Sequence, residues 1–153
     1  MTVRRLVLVL CCLLATALLP ASPQQGERRL VLAAGATTTV PPLTLGELRR
    51  AYLGMPVEKD GVRIVPLLNA GDPVLYQVFL QKIMFMSAPA YERRRLSGTL
   101  QGGGQRLREY ETPGGLAAAL LATPGAVTYM WAETVQATPG LREVQTLWRG
   151  RVE

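Results

Sequence analysis

The residues able to do chemistry are few, and one short run holds most of them. Asn69, Ala70, Gly71 and Asp72 lead into Pro73 and an apolar helical stretch. A loop that opens a helix presents unpaired backbone N–H groups and the positive end of the helix dipole, and both favour a small anion. Residues 69–72 have only backbone amides and the Asn69 carboxamide to offer one. Two residues work against it. Asp72 fits the N-cap, where its carboxylate repels an anion, and Pro73 at the first helical position has no N–H to donate.

Catalysis has little to draw on. The chain has no histidine, and its two cysteines, Cys11 and Cys12, sit inside an apolar N-terminal run. Ser87 and Ser97 then have no evident base to activate them. Glu109 and Glu111, two apart on an expected strand, could share a face, whereas Glu92, Glu133 and Glu143 stand alone. Carboxylates so placed are mostly solvated. No phosphate-loop, zinc or calcium-loop spacing occurs. The expectation is a non-enzymatic protein with no cofactor and no metal. Arg93, Arg94 and Arg95 form the one cationic run, and on an amphipathic helix they read as a face turned to water.

An alternation of strands and helices must hold these candidates. Residues 30–34 (LVLAA) are an apolar run bounded by Arg28, Arg29 and Gly35, the pattern of a buried strand, and residues 35–42 read as a loop. Thr44 and Glu47 spell a capping box, with Leu43 placed to staple onto Leu48, so a helix begins there. Leu45, Leu48 and Tyr52 fall on its apolar face, and Gly54 suits its left-handed end. Residues 55–61 read as a polar turn and 62–68 as a strand, which Pro66 assigns to an edge or a strand end. Asp72 opens a second helix with Leu75, Val78, Phe79, Ile83 and Met86 on one face. Ser87 and Pro89 start a third, stopped by Gly98, and residues 101–105, with three glycines, read as a loop. A short strand at 107–110, a helix from Thr112 and Pro113 to Ala122, a β-prone run at 126–131 and a last strand at 144–148 complete the chain. This order belongs to an α/β layer around a largely parallel sheet.

Arg4 and Arg5 precede an uncharged apolar run at residues 6–19, followed by Pro20, Ala21 and Ser22. The pattern is a secretory leader at residues 1–21, cleaved after Ala21. An uncleaved anchor is the alternative, although the run is shorter than the roughly 20 residues that span a bilayer. Leu8, Val9 and Leu10 lack the small residues that would mark a cysteine for lipidation. The expected product, residues 22–153, is one domain, periplasmic or secreted, without a disulfide and without stable membrane insertion. Loss of Arg4 and Arg5 leaves 15 Lys and Arg against 11 Asp and Glu, a net charge of +4. So mild and scattered an excess suits a small anion and gives no polybasic tract for nucleic acid.

Two segments carry a resemblance. LTLGELRRAYLG (residues 43–54) looks like the L-x-x-L-x-x-I-Y/F-L-G helix of the periplasmic phosphate-binding proteins of ABC transporters, and ATPGAVTY (residues 122–129) resembles their TPGAIGY turn and strand. Between them a strand, a polar loop, a helix carrying Phe79, an S-A-P helix start and an S-G pair follow in that family's order. The likeness covers residues 30–150 or so. It implies a single layered lobe of a type 2 periplasmic-binding-protein-like fold, α/β, with a mostly parallel sheet flanked by helices.

The resemblance also implies that ligand chemistry sits before the second helix, where the family carries R-S-D-G-S-G-T. Aligned on Phe79, this chain has Asn69 for the arginine, Gly71 for the aspartate, and Pro73, Val74 and Leu75 for serine, glycine and threonine. Ser97, Gly98 and Thr99 spell the lost triplet but follow a helix, and Thr128 stands where the family has glycine. The family holds its ligand between two lobes, and this chain matches one. The function so implied is a secreted, non-enzymatic solute-binding-like protein that binds phosphate or another oxyanion weakly, at Asn69, Ala70, Gly71 and Asp72, through backbone amides and the Asn69 carboxamide. The alternative is an envelope interaction or accessory module that keeps the lobe and has lost anion binding. An envelope protein or an ABC permease is the macromolecular partner implied.

Overall fold

The computed structural model describes residues 26–100 and 104–152. The expected leader and most of the glycine loop at 101–105 lie outside the described residues. The elements are β1 (Arg28–Gly35), α1 (Leu45–Tyr52), β2 (Glu58–Lys59), β3 (Val62–Arg63), β4 (Val65–Asn69), α2 (Pro73–Phe79), a π-helical turn (Leu80–Met84) and α3 (Ala88–Leu100). They continue through β5 (Arg108–Tyr110), α4 (Pro113–Ala122), β6 (Ala126–Trp131), α5 (Ala132–Ala137) and β7 (Leu141–Gly150). Among the described residues no helix is long and apolar enough to cross a membrane.

Five strands form one sheet in the order β5-β4-β6-β1-β7. β4 pairs in parallel with β5 and β6, whereas β1 pairs antiparallel with both β6 and β7. Four strands therefore run one way and β1 runs the other, so the sheet is mixed where a mostly parallel one was expected. Helices cover both faces because β1 and β6 are apolar on both sides. Leu30, Leu32, Val127 and Tyr129 pack with residues of α1, α2 and α3, while Val31, Ala33, Ala126 and Met130 pack with residues of α4 and α5.

The capping chemistry forms where the residue pattern places it. Asp72 and Thr112 each cap a helix that begins with proline, accepting from the N–H three residues on. At α1, Thr44 Oγ1 accepts from the Glu47 N–H at 3.2 Å, and Glu47 Oε2 accepts from the Thr44 N–H at 2.7 Å. Leu43 and Leu48 are both buried in the same core. Lys59, on β2, donates to the same Glu47 oxygen at 2.9 Å.

The Lys59 hydrogen bond, followed by those from Thr44, lowers the Glu47 pKa from 4.5 to about 2. Because the folded-state value is depressed, this carboxylate stabilises the fold fully above about pH 4.5, and the contribution is lost as pH falls toward 2. Glu47→Gln should therefore flatten part of the acid-induced fall in melting temperature over that window, read by circular dichroism at stepped pH. An unchanged acid profile would show that Glu47 gains nothing from these partners.

Several expectations are corrected. Leu45 is 43% exposed, and Ala51 takes its place beside Leu48 and Tyr52 on the buried face of α1. Pro66 lies in a central strand; β4 pairs with β5 only from Leu67 onward, so the missing N–H falls ahead of that ladder. The 55–61 turn contains β2 of a β2–β3 hairpin, whose Asp60 and Gly61 both have positive φ, the requirement of a tight primed turn. Met86 lies past the π-helical turn and is only half-buried. α3 runs through Gly98 to Leu100; a lone interior glycine costs only about 1 kcal/mol. α5 was not expected, because Trp131 supplies no side-chain cap to announce it.

Candidate functional site

The 69–72 loop leaves the C-terminal end of β4, beside the C-terminal end of its parallel neighbour β6. The chain departs from β4 into α2 on one face and reaches β6 from α4 on the other. Open α/β sheets place ligands in the crevice at such carboxyl ends. Here the crevice is a recess of about 130 Å³ lined by Asn69, Gly71, Asp72, Leu75, Met130 and Trp131 among others. Three of the four expected site residues thus meet in one cavity, and Ala70 lies next to it in sequence without lining it.

Two of the donors expected for an anion are engaged elsewhere. The Ala70 N–H donates to the Tyr110 carbonyl at 2.9 Å, tying the loop to the end of β5. The Asn69 carboxamide donates to the Tyr129 carbonyl at 3.4 Å, and the Asn69 carbonyl accepts from the Tyr129 hydroxyl at 2.9 Å. Gly71 passes so close to Glu111 that a Cβ would overlap the Glu111 carbonyl oxygen. Glycine there is a requirement of packing.

Asp72 uses both carboxylate oxygens. Oδ1 accepts from the Leu75 N–H at 3.0 Å, and Oδ2 accepts from the Trp131 indole N–H at 2.9 Å. Of the first three positions of α2, Pro73 has no N–H and the N–H of Leu75 is taken. A carboxylate of the chain itself caps the helix N-terminus, and among the described residues no cation lines the recess to offset that charge.

A second layer holds Trp131. The Arg28 guanidinium lies 3.8 Å from the centre of the Trp131 ring and donates to Glu133 Oε1 through Nε at 2.9 Å and Nη2 at 2.6 Å. Cation–π and ion-pair contacts together fix the indole that reaches Asp72. Trp131, Arg28 and Glu133 were missed as site residues. Trp131 stood out only as a β-prone residue, and Arg28 and Glu133 are separated by 105 positions.

The remaining candidates stay apart. Glu109 and Glu111 are both exposed. The Ser97 hydroxyl donates to the Arg93 carbonyl at 2.8 Å, and the Ser87 hydroxyl accepts from the Ala90 N–H at 3.4 Å, so neither faces a base. Arg93 and Arg94 are exposed, and Arg95 donates to Glu92 at 3.0 Å. Among the described residues no group of three acidic residues or cysteines could hold a metal. No protein-family model matches the chain, and no curated protein matches it in sequence.

Proposed function

We propose that the protein is a single periplasmic-binding-protein-like lobe that serves the cell envelope as a non-enzymatic interaction or accessory module. The observation that carries this reading is the Asp72 carboxylate, seated on the Leu75 N–H and the Trp131 indole where an oxyanion would have to sit. An arriving phosphate would meet a like charge, and the Asn69 carboxamide and the Ala70 and Leu75 N–H groups already engaged. The lobe assignment is supported by the order of the 43–54 and 122–129 segments and by a sheet of four co-directional strands with helices on both faces. Placement outside the cytoplasm rests on the leader-like residues 1–21.

Weak binding of phosphate or another oxyanion is the second reading, favoured by the position of the recess at the carboxyl ends of β4 and β6. Melting temperatures separate the two. In phosphate, sulfate or arsenate at about 10 mM, against chloride at matched ionic strength, the protein should show no anion-selective rise, because a ligand of the folded state raises stability by mass action. A selective rise with phosphate would restore the receptor reading and remove the module reading.

A further inference from the structure

A groove of about 560 Å³ lies between α2 with its π-helical turn and the C-terminal end of β7. That is the size of a binding pocket, about 300–1,000 Å³. Val74, Val78 and Trp148 make its wall apolar, Lys82 and Arg151 make it cationic, and no carboxylate among the described residues lines it. Val74 is 47% exposed on the first turn of α2. Trp148 is half-buried opposite Leu30, and a Cβ at Gly150 would overlap its indole, so the glycine leaves the ring its place.

Among the described residues no ion pair cancels the charge of the groove. The four ion pairs among the described residues use Arg28, Arg29, Lys59 and Arg95, and Lys82 and Arg151 take part in none of them. β7 is an edge strand, and the register leaves Val144 and Leu147 unpaired as two bulges. Bulges protect an edge from indiscriminate strand pairing, and here they stop short of the stretch from Trp148 to Gly150 beside the groove. A free phosphate would satisfy the cations and leave the apolar wall in water. An occupant that covers both must carry both chemistries.

We propose that this groove docks an extended segment of a partner protein that sets a carboxylate beside a large apolar side chain. The carboxylate meets Lys82 or Arg151, and the apolar group lies on Trp148 and Val74. The proposal rests on the interaction-module reading above and names the class of partner.

The test is selection of a random peptide display library on the immobilised folded protein, followed by titration of the selected peptides against the wild type, Val74→Asp and a Lys82→Glu/Arg151→Glu double variant. Trp148 fluorescence reports occupancy. The expected result is enrichment of Asp or Glu next to Phe, Leu or Trp, with affinity falling at least about tenfold in both variants while their melting temperatures stay at the wild-type value. The proposal is overturned by no enrichment, by selected peptides without acidic residues, or by binding that survives charge reversal. Two further results would assign the groove to another occupant and overturn it as well: self-association in sedimentation that Val74→Asp abolishes, or phosphatidylglycerol vesicle binding that the double variant abolishes. Peptide failure without a phosphate-selective melting shift defeats the docking site alone, whereas such a shift defeats the module reading itself.

Discussion

Truncating Tyr52 to alanine should lower the melting temperature by about 10–20 °C, from a loss of about 3–5 kcal/mol. Tyr52 ends α1 and has no exposed surface. Its ring meets that of Phe79 edge-on at 4.8 Å and lies 5.6 Å from that of Tyr129, which stacks on Phe79 at 3.9 Å. Alanine would leave a void walled by α1, α2 and β6, and two of those walls are aromatic rings already in contact with each other. The site has little freedom to collapse, and that is the condition under which a cavity costs most.

The Tyr52 hydroxyl matters less than its ring. Its contacts to the Leu67 and Val127 carbonyls are each 3.4 Å, long for an O–H···O bond. Tyr52→Phe should therefore cost about 1 kcal/mol or less. Thermal or urea melts of the two variants settle the point: a phenylalanine variant as unstable as the alanine one would refute the packing account. Burial also pushes the Tyr52 phenol well above its ordinary value of 10. A raised folded-state value means that the unfolded chain ionises first, so this contribution is intact below pH 10 and declines above it.

Gly125→Val should destabilise the protein by about 2–5 kcal/mol, combining a left-handed backbone penalty with overpacking. Gly125 has φ +74 in the turn between α4 and β6, and a Cβ there would overlap the Arg63 carbonyl oxygen. The Gly125 carbonyl also accepts from the Val65 N–H at 2.9 Å, at the start of β4. The turn cannot withdraw from Arg63 without breaking that bond. Gly61 provides the control, since its φ is also +74 but nothing lies within 4 Å of its Cβ position. Gly61→Val should show the backbone penalty alone, about 1–2 kcal/mol. Equal urea midpoints for the two variants would show that the close approach to Arg63 has no energetic weight. A loss at the upper end of the Gly125 range is a large share of the roughly 5–15 kcal/mol that holds a domain folded.

What was legible in the residues alone had a short range. Thr44 with Glu47, Asp72 with Leu75, and Thr112 with Gly115 are bonds across three positions, so chain connectivity brings the partners together whatever the rest of the fold does. Three helix starts followed from them. β1 and β6 were legible because they are buried on both faces and read as unbroken apolar runs. Periodicity misled at Leu45, where the helical stripe continues in sequence but α1 turns that end toward water. At Gly98 a residue that suits a helix end sits inside α3, with room for a Cβ 3.7 Å from the Leu53 carbonyl. The D-G pair at Asp60 and Gly61 did carry a hairpin signal, and the strands it joins are only two residues each.

The candidate site divides along the same line. Sequence alone located the 69–72 loop, its Asp72 cap and the Pro73 helix start, because each depends on neighbours within three residues. Tertiary structure decided what the loop can do. The second Asp72 oxygen is taken by Trp131, 59 positions away, the Asn69 carboxamide by the Tyr129 carbonyl and the Ala70 N–H by the Tyr110 carbonyl. The reversed β1 strand that brings Arg28 over Trp131 is likewise a matter of sheet order. Local bonds follow from spacing along the chain, but whether a donor remains free for a ligand depends on what distant elements place against it.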